Sequence, residues 1–480
     1  MKINSYLLLP ALIFTLSGCG PKQDCNKISD GIETNFNKGN FTEAGKLADS
    51  LKQCCTGNLL IIRKADSLLE IAERIRLDFP FTGEQITTRI EKLAGSVSED
   101  DIAAWEKKKW LEWRIIDGEK KYFDRAASNL MLLRKFYEDK EGRFRETSND
   151  PAMMFRLKHT GEVLKTTGTS TDPVLPVDML ITFTVTVQPD VIPEGEVIRC
   201  WLPWPKENHP RQKPPELILT SNPDYIIAAD TTVHRSIYME EVSEKGLTTV
   251  FEVKYRYQSK AQYFNMGRIK VLPYDKTSDL YKKQTSEQLP QICFTDKIRR
   301  LADSITTPQD DPASTVRKIY LWFKENIPWT GALEYSIIPN IPEYVYDNRR
   351  GDCGMQTLLF MSMLRNKGIP ARWQSGWMVP PEDENLHDWC EVYFEGTGWV
   401  PADISYDLQN PDKPELREFY LSGIDSYRLI VNDGIAGSFY PEKKHMRSDP
   451  YDFQRGEVEW KGGNLYYDKW DYNMKIEYLK

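Results

Sequence analysis

A chain of 480 residues is too long for one hydrophobic core, and its length alone predicts about three or four structural units. With 28% charged residues and 13 Trp, 24 Tyr and 19 Phe, its composition is that of a well-packed soluble protein and not of a disordered one. The net charge of -8, with no basic stripe along the chain, excludes a nucleic-acid footprint.

At the N-terminus, Lys2 precedes the apolar run Tyr6 to Leu16, too short to span a bilayer as a permanent helix. The run ends in Leu16-Ser17-Gly18-Cys19 and resembles a bacterial lipoprotein signal. That resemblance implies removal of residues 1–18, lipidation of Cys19 and tethering to the bacterial cell envelope. Gly20 after the cysteine, where Asp would retain the protein inside, implies the outer membrane, facing the periplasm or the surface. Several acyl chains hold a protein where one alone would be marginal. No other apolar run approaches spanning length. In such an exported chain Cys25 can pair with Cys54 or with Cys55, and spacing does not choose between them.

Residues 19–150 read as a helical domain. Leu59-Leu60-Ile61-Ile62, Leu68-Leu69, Ile71-Ala72 and Ile75 recur at helical spacing until Phe79-Pro80 stops them. Ser98-Glu99-Asp100-Asp101 has the pattern of a capped helix start. From about Pro176 the period changes to two. The runs 177–187, 197–202 and 248–257 are rich in β-branched residues and separated by Pro-rich turns, which predicts a β-sandwich over 155–272.

Helical signals return at Pro312 to Asn326, where Val316, Ile319, Tyr320 and Phe323 form one stripe. They open a core region, 273–405. Within it Gly351-Asp352-Cys353-Gly354 begins a helix that is apolar nearly all round, from Thr357 to Leu364. Asp352 is a good N-cap, which puts Cys353 in the first turn, where free N–H groups and the helix dipole favour a thiolate. The flanking glycines leave room for a substrate backbone.

Next comes a hairpin, with Val392-Tyr393-Phe394 before Glu395-Gly396-Thr397-Gly398 and Trp399-Val400-Pro401-Ala402-Asp403 after it. A turn centred on Gly396 makes His387 and Asp403 diagonal neighbours on one face, and a slip of one residue separates them. The acidic loop Pro380 to Asn385 is expected at the mouth of the site. Residues 406–480 predict strands packed on the core, with a hairpin at Lys461-Gly462-Gly463-Asn464 and an alternating terminal strand, 474–478.

Cysteine, histidine and aspartate thus occur in that order within about fifty residues, the parts of a thiol nucleophile, its base and the group that orients the base. The blocks Arg350-Gly351-Asp352-Cys353, Leu364 to Arg372, His387 to Tyr393 and Gly398 to Asp403 resemble the transglutaminase-like superfamily, which includes transglutaminases, peptide N-glycanases and bacterial proteases on a papain-like core. The resemblance covers roughly 310–405. It implies an α+β chain in which a papain-like core follows a β-sandwich and a helical N-terminal domain. It also implies catalytic roles for Cys353, His387 and Asp403, and acyl transfer at protein or peptide amides. Some transglutaminases use an upstream tryptophan as oxyanion donor, which makes Trp329 the candidate here beside the Cys353 N–H.

Asp388 departs from the small residue common at its position and should point away from the His387 face. The residues call for no cofactor, and no calcium-type loop is present. A zinc site of Cys353, His387 and Cys390 is disfavoured, because residues an odd number apart on one strand face opposite ways. Hydrolysis is the expected outcome; cross-linking of protein glutamine, or peptide binding without catalysis, are the alternatives.

Overall fold

The computed structural model describes residues 24–138, 150–406 and 413–479. The described residues up to Arg76, with Arg114–Lys121, form one compact unit and the remainder a second. In the first, helices Cys25–Asn37 and Phe41–Cys54 and the start of helix Leu59–Asp78 close on a small-residue core of Ile32, Ala44, Ala48, Leu51 and Ala65. A disulfide joins Cys25 to Cys55 and leaves Cys54 free and exposed, which settles the pairing that spacing left open.

The second unit begins with helices Gly83–Ala94 and Glu99–Lys107. Both start in capping boxes, Thr82 with Gln85 and Ser98 with Asp101, each satisfying two backbone N–H groups that the first turn leaves unpaired. Helices Ala126–Glu138 and Pro151–Thr167 follow. Two expectations change here. A two-stranded ribbon, Trp113–Ile116 with Glu119–Tyr122, interrupts the helical region. Residues 151–167, assigned in part to the sandwich, are helical, started by the Asp150 cap and Pro151 at its first position.

The sandwich itself starts at strand Val174–Val187, where Met179, Ile181, Phe183, Val185 and Val187 are fully buried at every second position. Each such side chain contributes about 1.5–3 kcal/mol by leaving water. One sheet runs Gly423–Ile424, Thr249–Tyr263, Val174–Val187, Trp470–Leu479. The other runs Gly463–Leu465, Glu457–Trp460, Val197–Pro203, Ser236–Val242, Tyr225–Ile227.

The C-terminal strands therefore complete both sheets of the sandwich, which corrects their expected place on the core. Strand Trp470–Leu479 pairs along its whole length with Val174–Val187. An alternating strand seeks any open sheet edge, and sequence does not say which edge that is.

The core has its own antiparallel sheet, ordered Gly398–Ala402, Asn385–Phe394, Ala371–Met378, Arg428–Asn432. Trp377, Val379, Leu429 and Val431 of this region share one apolar cluster with Phe183, Trp201 and Val253 of the sandwich. Helix Cys353–Asn366 packs on the sheet and on helices Asp296–Ile305, Pro312–Asn326 and Ile341–Asn348, so every residue from Cys353 to Arg365 is buried. Its stop is Gly368, at φ 72°, followed by Pro370.

Candidate active site

Helix Cys353–Asn366 is capped as its sequence requires. The Asp352 carboxylate accepts from the Met355 N–H at 3.0 Å, and the Tyr335 hydroxyl donates to the same oxygen at 2.7 Å. Cys353 is the first helical residue and lines a cleft of about 390 Å³ together with His387, Trp329 and Tyr406.

The hairpin turns about Gly396, at φ 85°, with Phe394 opposite Gly398 and Cys390 opposite Ala402. That register makes His387 and Asp403 neighbours, and their side chains meet, with His387 Nε2 2.7 Å from Asp403 Oδ2. With Nε2 taken by the carboxylate, Nδ1 is the nitrogen left to act as base.

Asp403 is fully buried and accepts from the Ser405 N–H and hydroxyl through its other oxygen. Arg428, also fully buried, places Nη1 2.8 Å from Asp403 Oδ2 and bridges to Asp425 at 3.0 Å. Burial opposes ionisation of Asp403, but His387 and Arg428 overcome it and hold the carboxyl well below the usual carboxylate range. Burial pushes His387 below its ordinary value; Asp403 pulls it up but does not win, and Arg428 adds to the fall. The imidazole is therefore neutral at neutral pH and able to take a proton.

The thiol differs from expectation. Burial first, then Asp388 and Asp352, push Cys353 well above an ordinary cysteine, so the helix start does not yield a resting thiolate. Sγ donates to Asp388 Oδ2 at 3.3 Å. Asp388 does face away from His387, as strand alternation demands, but the face it occupies is the one that meets the thiol. It is held by Gln454, whose Nε2 donates to Asp388 Oδ1 at 2.8 Å and to the His387 carbonyl at 3.0 Å. Behind it lies Asp452, which accepts from Asn432 at 2.9 Å and from the Ser375 hydroxyl. Burial and the neighbouring Asp452 push Asp388 well above the usual carboxylate range, so the two acids share a proton that Asp388 keeps.

The flanking glycines serve this packing and do not open room for substrate. A Cβ on Gly354 would meet the Tyr335 hydroxyl and, at 2.6 Å, Asp388 Oδ2; one on Gly351 would lie 2.8 Å from Met355 Cβ.

Trp329 is 43% exposed at the cleft rim, bridged in parallel to Gly351, so it is not a core aromatic. Cys390 is buried and points its thiol at the Ala402 carbonyl, 3.5 Å away. Cys19 lies outside the described residues, among which no helix is long and apolar enough to cross a membrane.

Two walls of the cleft come from far upstream. Asn129 and Gly331 exchange a pair of 2.8 Å hydrogen bonds, which dock helix Ala126–Glu138 beside the Trp329 loop and bring Leu132, Lys135 and Phe136 to the cleft. The Ser426 N–H donates to His159 Nε2 at 3.1 Å, seating helix Pro151–Thr167 so that Arg156 reaches the cleft from the other side. The acidic loop contributes only Asn385 to the lining; its Asp383 turns to Arg156, 3.5 Å away.

Residues 299–404 match the transglutaminase-like superfamily. YebA of Bacillus subtilis (strain 168), an uncharacterized protein, is 25% identical over 180 residues, 31% of this chain and 24% of YebA, so the match spans about a quarter of that relative's length. Among solved structures, "a Putative Cysteine Protease from Cytophaga hutchinsonii" aligns with a TM-score of 0.44 at 13% identity, covering 64% of this chain and 92% of that one. The periplasmic domain of TgpA from Pseudomonas aeruginosa aligns with a TM-score of 0.26 at 16% identity, covering 54% and 94%.

Proposed function

We propose, from the transglutaminase-like core at residues 299–404, that this chain is a membrane-tethered cysteine acyl-transfer enzyme that hydrolyses protein or peptide amide bonds. The observation that carries the reading is the 2.7 Å contact of His387 with a buried, ionised Asp403 in the cleft that Cys353 lines. Because the resting thiol is neutral, Cys353 turns from Asp388 into the cleft, and His387 Nδ1 takes its proton as sulfur attacks the carbonyl carbon. The C–S bond forms and the oxyanion is received by the Cys353 N–H, with the Trp329 indole as second donor. His387 then gives the proton to the departing nitrogen as the C–N bond breaks. Water attacks the thioester, losing its proton to His387, and the Cys353 thiol is restored. Asp403 stays ionised throughout and fixes the imidazole tautomer.

Water is favoured over an amine as acceptor because the cleft lining holds basic side chains and, among the described residues, no carboxylate to receive a lysine ammonium. The tether is Cys19, supported by the Leu16-Ser17-Gly18-Cys19 pattern. The deciding experiment incubates the full chain and Cys353→Ala with glutamine-bearing peptides and excess primary amine. Cleavage, or ammonia release without amine incorporation, in the wild type alone is the expected result; amine incorporation as the main product replaces hydrolase with transglutaminase.

A further inference from the structure

We propose that the cleft takes an anionic peptide, one whose carboxylate lies beside the scissile amide, an inference that rests on the acyl-transfer reading. Lys135, Arg156 and Lys324 line the cleft with His387, and no Asp or Glu is among the described lining residues. This inverts the balance of a chain with 71 acidic and 63 basic residues. Leu132, Phe136, Trp329 and Tyr406 supply walls of low polarity, which focus such a field towards a ligand.

The three cations have different parts. Lys324 donates to the Ile404 and Tyr406 carbonyls and adds charge at the floor without having to touch a ligand. Arg156 is laid over the Tyr406 ring at 4.1 Å and reaches Asp383 only at 3.5 Å. Its planar fork, held by the ring, keeps donors for a second carboxylate. Lys135 is an exposed cation on the last turn of its helix and lines the cleft. Lys135 and Arg156 both stand on helices outside residues 299–404, so their two charges lie outside the matched core, while Lys324 lies within it. The carboxylate has two sources with the same chemistry, an acidic side chain or a free chain terminus.

Alkylation of the full chain tests the field without a known substrate. The same thiolate attacks iodoacetate and iodoacetamide, displacing iodide, so their rate ratio cancels the thiol pKa and reports local charge; at pH 8 the His387 ring is neutral. The ratio at Cys353 should exceed that at exposed Cys54 by about tenfold, and should fall towards the Cys54 value in Lys135→Glu and in Arg156→Gln. Lys135→Glu changes an exposed position, so loss of fold cannot explain its result. A ratio no higher than at Cys54, or unmoved by both substitutions, overturns the inference.

A second arm compares three blocked peptides: one with an internal Glu, one with only a free C-terminal carboxylate, one neutral. Faster turnover of either anionic peptide supports the inference and names the source, while equal turnover of the neutral peptide overturns it. Turnover of none alongside a raised alkylation ratio fails the enzyme reading and leaves the anion site standing.

Discussion

The thiol of Cys353 is hydrogen-bonded to Asp388, 3.3 Å away, while the ring of His387, one residue earlier on the same strand, is hydrogen-bonded to Asp403. Adjacent strand residues face opposite ways, so one strand presents the neutral His387 ring with its ionised Asp403 on one side and an acid pair sharing one proton on the other. The helix start lies over the seam between them. The resting sulfur is held on the acid side, and attack requires it to cross.

This arrangement fixes a pH dependence. The imidazole is pushed below its ordinary value of 6.5 and the thiol well above 9.0. kcat/KM should therefore rise through a single step below pH 6.5, where His387 loses its proton, and stay level through neutrality. Alkylation of Cys353 without substrate should stay slow at pH 6 and climb only in alkali. Rapid labelling at pH 6 would mean a resting thiolate–imidazolium pair in place of general-base catalysis.

Asp388→Asn and Asp388→Ala should separate sharply. Asn keeps a neutral, hydrogen-bonding group where a protonated acid stands, and should cost less than about 1 kcal/mol; Ala strands Asp452 and the Gln454 amide, costing about 1–3 kcal/mol. The folded-state pKa of Asp388 is raised, so the wild type loses stability as pH rises through that value while the Asn variant does not. The Asn variant should thus gain on the wild type in alkaline melts.

Asp403→Asn should leave the fold intact and lower kcat by about four orders of magnitude, since the amide favours the wrong imidazole tautomer. Near-full activity in that variant, beside a dead Cys353→Ala, would remove Asp403 from the mechanism.

Arg428→Ala removes the cation shared by Asp403 and Asp425, and should cost about 3–5 kcal/mol at neutral pH. Asp425 is held at about 2, against burial, chiefly by Arg428. Depressed carboxylates stabilise the fold above their unfolded pKa, and that stabilisation is lost as pH falls through the folded value. The gap between wild type and variant should therefore narrow between about pH 4 and 2. Denaturant midpoints across that range measure it.

Cys19→Ala should shift the protein from membrane to soluble fraction, or leave an unprocessed precursor, and abolish palmitate incorporation.

Local chemistry was legible where one segment sufficed. The Asp352 cap, helix Pro312–Asn326, the Gly396-centred register and the period-two run ending at Val187 all follow from neighbours in sequence. What sequence hid was long-range company. Arg428 looks like the polar start of an apolar strand, and only the sheet order sets it on Asp403; its one signal is a charge directly before Leu429-Ile430-Val431. Asp388 was oriented correctly by alternation, but alternation cannot say that the thiol waits on the other side. Lys135 and Arg156 sit on helices that read as packing, and reach the cleft through the Asn129–Gly331 and Ser426–His159 hydrogen bonds.

The last ten described residues carry a consequence for how the chain is made. Trp470 lies opposite Val187 and Leu479 opposite Asp178, so the sandwich sheet lacks a strand until residues 470–479 have been made. Such distant pairing is slow to form, and leaves the Val174–Val187 edge bare while the rest of the molecule emerges. A chain that has not yet reached this strand already holds every residue lining its cleft, yet still carries an edge ready to aggregate.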